Sequence, residues 1–146
     1  MGRLLGIARR GAQRASMEEI DTAVVSIETG LSGDYRGRHT GRQVTVLIIQ
    51  DWQAACDELG AELPWTTRRA NLLLDDIALP KSSGGLLKVG GCLLKITGET
   101  DPCERMDEQH TGLRAALTPA WRGGRTCNVV KAGEIRVGDS AQVIGV

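Results

Sequence analysis

The chain has 146 residues, with 18 basic and 18 acidic side chains, 41% apolar residues and four aromatics: three Trp, one Tyr and no Phe. That length makes a single domain, 1–146, with a core of Leu, Ile and Val, and the balanced charge and scarce aromatics argue against nucleic-acid binding. No apolar run approaches the roughly 20 residues that cross a bilayer, and residues 4–8, followed by Arg9-Arg10, are too short and wrongly charged for a signal peptide. The expectation is a cytoplasmic protein with no membrane and no nucleic-acid partner.

In chain order, residues 3–9 and the β-branched run 22–29 (TAVVSIET) read as strands, and 42–50 (RQVTVLIIQ) is the clearest strand of all. A short helix follows, with Asp51 as N-cap, an Ala-, Leu- and Glu-bearing interior and Gly60 as terminator. Residues 86–97 form two apolar segments split at Gly90-Gly91, and 111–117 is helical until Pro119 stops it. Short strands at 127–131, 134–137 and 141–146 are separated by Gly133 and by Gly138-Asp139. Many short strands, Gly-rich turns and few short helices give a mainly β fold, a barrel with a few short helices.

The four cysteines, Cys56, Cys92, Cys103 and Cys127, have no Cys-x-x-Cys spacing, so the expectation is four free thiols and no sequence-local zinc or iron–sulfur site. Cys56, Cys92 and Cys127 fall in a helix and two strands and read as core residues. Cys103 lies instead in Thr97-Gly98-Glu99-Thr100-Asp101-Pro102-Cys103-Glu104-Arg105-Met106. Asp101 as N-cap, Pro102 at the first helical position and Glu104 three residues after the cap would place Cys103 in the first turn of a helix. Free backbone N–H groups and Arg105 would favour a thiolate there, both nucleophile and soft metal ligand; a buried, inert cysteine at a helix start is the alternative.

Two further features point to anion chemistry. In residues 30–42 (GLSGDYRGRHTGR), seven of thirteen residues are Gly or Arg, which allow close backbone approach and bidentate phosphate binding. The run Trp65-Thr66-Thr67-Arg68-Arg69-Ala70-Asn71-Leu72 could aim donors into a cleft or form a solvated turn, and Arg122-Gly123-Gly124-Arg125 reads as a turn. His39 and His110 have no carboxylate at metal-ligand spacing and read as surface or loop residues. There is no Gly-x-Ser-x-Gly elbow and no paired-carboxylate signal.

In order, Gly33-Asp34, Arg42-Gln43-Val44-Thr45-Val46-Leu47, Arg69-Ala70-Asn71-Leu72, the segment Ile96 to Asp107 around Pro102-Cys103, and Gly133-Glu134-Ile135-Arg136-Val137-Gly138-Asp139 resemble the MOSC domain, named for the C-terminal part of molybdenum cofactor sulfurases. The resemblance runs over almost the whole chain and implies a MOSC-type β-barrel. It also implies the molybdenum cofactor (molybdopterin), with Cys103 ligating molybdenum or carrying sulfur. Arg69 and Asn71 would contact the pterin or its phosphate, Arg42, Thr97 and Arg105 are further candidate contacts from their position near these motifs and from anion chemistry, and Asp34 would act as a turn or capping residue.

Two activities follow from the resemblance. One is an oxidoreductase reducing N-hydroxylated compounds, served by a separate electron-donor reductase. The other is a sulfur-carrier or cofactor-delivery module that holds a persulfide on Cys103, supplied by a sulfurase protein, without small-molecule turnover. A domain this small would bind the cofactor with fewer walls or complete its site as a homodimer.

Overall fold

The computed structural model describes residues 2–37 and 41–145. Among these, the order is β1 (Gly2–Arg9), β2 (Glu18–Ile20), β3 (Thr22–Ser26), β4 (Gly30–Leu31), β5 (Val44–Ile48), α1 (Ile49–Leu59), a 3-10 turn (Trp65–Arg68), β6 (Leu72–Asp75), β7 (Leu86–Val89), β8 (Cys92–Glu99), α2 (Glu104–Gln109), α3 (Leu113–Leu117), a second 3-10 turn (Pro119–Trp121), β9 (Arg125–Lys131), β10 (Gly133–Arg136) and β11 (Ser140–Gly145). The fold is mainly β, as the strand pattern predicts.

Seven strands close on themselves in the order β1-β11-β7-β8-β9-β5-β6, with β6 returning to β1. Closure is made where Gly2 pairs with Ala141 and Arg3 with Ser140. Because closure leaves no free edge in the ring, its backbone groups pair internally. The β5–β6 pair is parallel, whereas every other described pair is antiparallel. A parallel pair needs a crossover, and α1 with the first 3-10 turn supplies it.

All five residues of β5 are buried because the strand lies between two apolar layers. Val44, Val46 and Ile48 face the barrel interior with Leu72 and Leu74 of β6. Leu47 and Leu73, one residue out of phase, face the helical layer of Trp52, Ala55, Met106, Leu113 and Leu117. A small sheet, β10-β3-β4, covers the barrel and adds Ala23, Val25, Leu31 and Ile135 to the interior.

Two expected helix starts are displaced. The strand expected to run to Gln50 ends at Ile48, and α1 begins there, two residues before Asp51. Asp51 sits in the first turn instead, 3.7 Å from the guanidinium of Arg125, while Gly60 ends the helix at φ 66° as expected. The helix expected to be capped by Asp101 begins at Glu104, with Cys103 extended at its N-cap. Tertiary bonds hold the preceding residues extended: Thr100 N donates to Gly124 O at 3.0 Å and Thr100 O accepts from Arg68. Gly123 packs so close that a Cβ there would lie 2.4 Å from Thr100 O and 3.4 Å from Pro102 Cδ.

Cys56, Cys92 and Cys127 are buried free thiols, as expected, and Cys103 is the exposed one. Burial pushes the Cys92 thiol up to about 11 and the Cys127 thiol up to about 12. His110 follows α2, its ring nitrogen Nδ1 3.1 Å from Thr111 O; His39 lies outside the described residues. No helix among the described residues is long and apolar enough to cross a membrane.

Candidate functional site: an arginine-lined cleft around Cys103

Five segments of the chain converge on one cleft. Its lining includes Arg10 and Gln13 after β1, Asp34 and Arg36 after β4, and Arg42 and Thr45 at β5. Arg68, Arg69, Ala70 and Asn71 come from the 3-10 turn leading to β6, and Thr100, Cys103, Arg105 and Met106 from the β8–α2 connection. Six arginines therefore share a surface with one carboxylate in a chain whose total charge is zero. No carboxylate among the described residues forms an ion pair with any of the six. Asp34 spends its oxygens on backbone, accepting from the N–H groups of Arg10 and Arg36, both at 3.1 Å, which is the turn role expected of it.

The electrostatic strain is visible in the guanidiniums. Burial, reinforced by the charges of Arg69, Arg36 and Arg105, pushes Arg10 down to about 10. Burial likewise lowers Arg68 to about 10, opposed by negative charge at Cys103 and Asp101. Arg42 and Arg69 are lowered for the same first reason. Like charges gathered without counterions destabilise the folded chain, so the cleft is built to receive negative charge from outside.

Five of the six residues expected at the site line this cleft: Cys103, Arg42, Arg69, Asn71 and Arg105. Arg69 occupies the left-handed region at φ 65°, closing the 3-10 turn, and donates from Nη2 to Ala15 O. Its Nε is buried without a partner. Arg105 donates to Gln13 O at 3.4 Å, so both side chains reach the 11–16 segment beside the cleft.

Asn71 is present but committed internally. Its Oδ1 accepts from Thr45 N at 3.0 Å and Thr45 Oγ1 at 3.2 Å, and its Nδ2 donates to Ala8 O at 3.1 Å. With only 4% of its surface exposed, it joins β1, β5 and the start of β6 beneath the arginines. Thr97 is not part of the lining. Its hydroxyl bonds Gly41 O and lies 2.7 Å from Thr126 Oγ1, holding the segment that precedes Arg42.

Arg10, Arg36, Arg68 and Thr100 were not singled out by sequence as site residues. Arg36 lies in the 30–42 loop and Arg68 in the Trp65–Leu72 run, both read as anion features, whereas Arg10 appears in the sequence only as a charge after the first strand. Arg68 is 6% exposed and donates to Gly123 O at 2.9 Å, Thr100 O at 2.8 Å and Met106 Sδ at 3.6 Å. It thereby clamps the connection that carries Cys103 against the turn before β9. The Gly-Gly pair in Arg122-Gly123-Gly124-Arg125 belongs to this clamp, while Arg125 is buried and donates to Pro80 O and Leu79 O.

Cys103 stands at the N-cap of a six-residue helix rather than in its first turn as expected from Asp101-Pro102, and its side chain makes no capping hydrogen bond. Its surroundings are set by side chains instead. Among the described residues no cluster of three or more His, Cys, Asp or Glu could hold a metal. A metal at Cys103 would therefore have to bring most of its ligands with it.

A family model for the MOSC domain matches residues 36–142. Among solved structures, the YuaD protein from Bacillus subtilis has a TM-score of 0.84 at 17% identity, covering 100% of this chain and 97% of its own. YiiM from Geobacillus stearothermophilus has a TM-score of 0.79 at 12% identity, with coverages of 99% and 75%. YiiM from Escherichia coli has 0.74 at 14%, with 99% and 70%. At these identities the likeness is one of fold. No curated protein sequence matches significantly. The closed barrel, the arginine cleft and the matched span agree: the chain belongs to the MOSC domain family, which is linked to molybdenum-cofactor binding.

Proposed function

We propose that the cleft binds the molybdenum cofactor, with Cys103 as the protein's ligand to molybdenum, and that the protein reduces N-hydroxylated compounds. The observation that carries this reading is the pairing of one exposed thiol with six arginines that lack carboxylate partners. A thiolate is a soft metal ligand, and guanidinium forks suit a phosphate. The donor set fits a metal that arrives with its own chelating groups on a phosphorylated carrier.

In this reading Arg69, Arg10 and Arg105 hold the anionic part of the cofactor, with Arg69 Nε free to donate. Arg42 and Arg68 lie toward Cys103, which is an electrostatic neighbour of both. Asn71 and Thr97 position these residues through their internal bonds. When bound, the molybdenum centre supplies oxygen-atom removal from the substrate. The chain contributes binding, orientation and a single thiol. Electrons come from a separate reductase protein.

The test is reduction of an N-hydroxylated base by cofactor-loaded protein, with a reduced viologen as electron source. Turnover by the wild type that is abolished in Cys103→Ser supports the reading, and turnover unchanged in that variant refutes it.

The exposure of Cys103 also favours a second reading, in which a sulfurase partner loads a persulfide on this thiol for delivery. That reading expects a sulfur adduct on Cys103 by intact mass, removed by reductant, and no turnover.

A further inference from the structure

Among the described residues, two buried side-chain polar atoms have no hydrogen-bond partner, Arg69 Nε and Thr100 Oγ1, and both residues line the same cleft. A buried hydroxyl left unpaired forfeits its hydration without compensation, so each such group calls for an explanation. The backbone of Thr100 is fully engaged, its N–H on Gly124 O and its carbonyl on Arg68. The residue is 6% exposed, which leaves rotation about χ1 as its freedom. Thr45, the other hydroxyl of the lining, is paired with Asn71.

The chemistry around Thr100 says what its partner must be. Guanidiniums offer only N–H donors, and Asp34, the one carboxylate among the described lining residues, spends its oxygens on backbone N–H groups. No side chain of the described lining accepts the Thr100 proton as the cleft stands, which leaves that place to an acceptor arriving with a ligand. We propose that Thr100 is a ligand-contacting residue, whose hydroxyl turns about χ1 and donates to an oxyanion held in the cleft against Cys103. The inference rests on the reading of the cleft as an anion site and adds a contact next to the thiol.

The experiment uses the full chain, iodoacetamide and inorganic phosphate. Alkylation reads Cys103, since the other three thiols are buried. Phosphate is expected to slow alkylation of the wild type. Thr100→Val should raise the phosphate concentration needed for half-protection about tenfold, the loss expected for one hydrogen bond to a charged group, and Thr100→Ser should restore it. Without phosphate, Thr100→Val should melt at or above the wild-type temperature, because it deletes an unpaired group.

Equal protection of Thr100→Val and wild type would overturn the contact while leaving the anion site standing. A lower ligand-free melting temperature in Thr100→Val would also overturn it, by showing that the hydroxyl has an internal partner. Failure of phosphate to protect the wild type would overturn both the anion site and the contact.

Discussion

Arg69 and Asn71 stand two residues apart in the Arg69-Ala70-Asn71 motif, and the structure gives them opposite circumstances. Asn71 has both amide atoms bonded inside the protein, whereas Arg69 has a buried Nε with nothing to donate to. Asn71→Ala would leave Thr45 N and Ala8 O without their partner and should lower unfolding stability by about 2–4 kcal/mol, read as a shift in the urea midpoint. Arg69→Gln should stay within about 1 kcal/mol of wild type by the same measurement while weakening phosphate protection of Cys103. A reversed pattern would make Asn71 the ligand contact and Arg69 the structural residue. Residue types alone could not separate the two, because Arg and Asn are equally suited to binding an anion and to satisfying backbone. What separates them is the pair of strands on either side of Asn71.

At the scale of elements, the β8–α2 connection and the turn before β9 form one unit. Gly123→Ala would place a Cβ 2.4 Å from Thr100 O, a contact relieved only by moving the segment that carries Cys103. The expected cost is about 1–3 kcal/mol of stability, together with a changed rate of Cys103 alkylation. A variant that unfolds at the wild-type midpoint and alkylates at the wild-type rate would show that the two segments do not brace each other.

Strands β8 and β9 bring Cys92 and Cys127 into the interior, where burial holds the thiols protonated well above their usual range. Their unfolded counterparts are about half ionised near pH 9, so the folded state binds more protons from about pH 8 to about 11. Stability must then fall as pH rises, by at most about 1.4 kcal/mol per pH unit for each thiol. The buried guanidiniums of Arg10 and Arg68 act in the opposite sense, but only above about pH 9, where the folded state begins to release their protons first. The window from about pH 8 to 9 is therefore dominated by the thiols, because guanidiniums with values near 10 are still almost fully charged there. Melting temperature should decline across it, and the double variant Cys92→Ala, Cys127→Ala should flatten that slope whatever its absolute stability. An unchanged slope would contradict the thiol origin.

For the whole molecule, the strands were legible where a β-branched run stands out, as in β5, or where glycine divides apolar runs, as in the β7–β8 hairpin split at Gly90-Gly91 and the three C-terminal strands. Short pieces such as β2 and β4 have too few residues to show a period, and β6 is apolar on both faces, so alternation is absent. Closure through β1 and β11 depends on pairing residues about 140 positions apart, which no local pattern encodes. The same holds for the site. Cys103, Arg42, Arg69 and Arg105 sit in recognisable motifs, but Arg10, Arg36 and Arg68 become neighbours only through the barrel. Thr100 lies within the Ile96–Asp107 segment, but nothing in the sequence marks its hydroxyl, since an unpaired hydroxyl is a property of its surroundings.

The cleft collects six guanidiniums and one accessible thiol, and the central claim is that this combination retains molybdenum through Cys103. The most direct measurement is the molybdenum content, by elemental analysis, of wild-type protein and Cys103→Ser produced side by side in a molybdate-fed, cofactor-competent host. Near-equimolar metal in the wild type, lost in the variant, is the predicted result. Metal absent from both proteins, or retained equally by both, would contradict it.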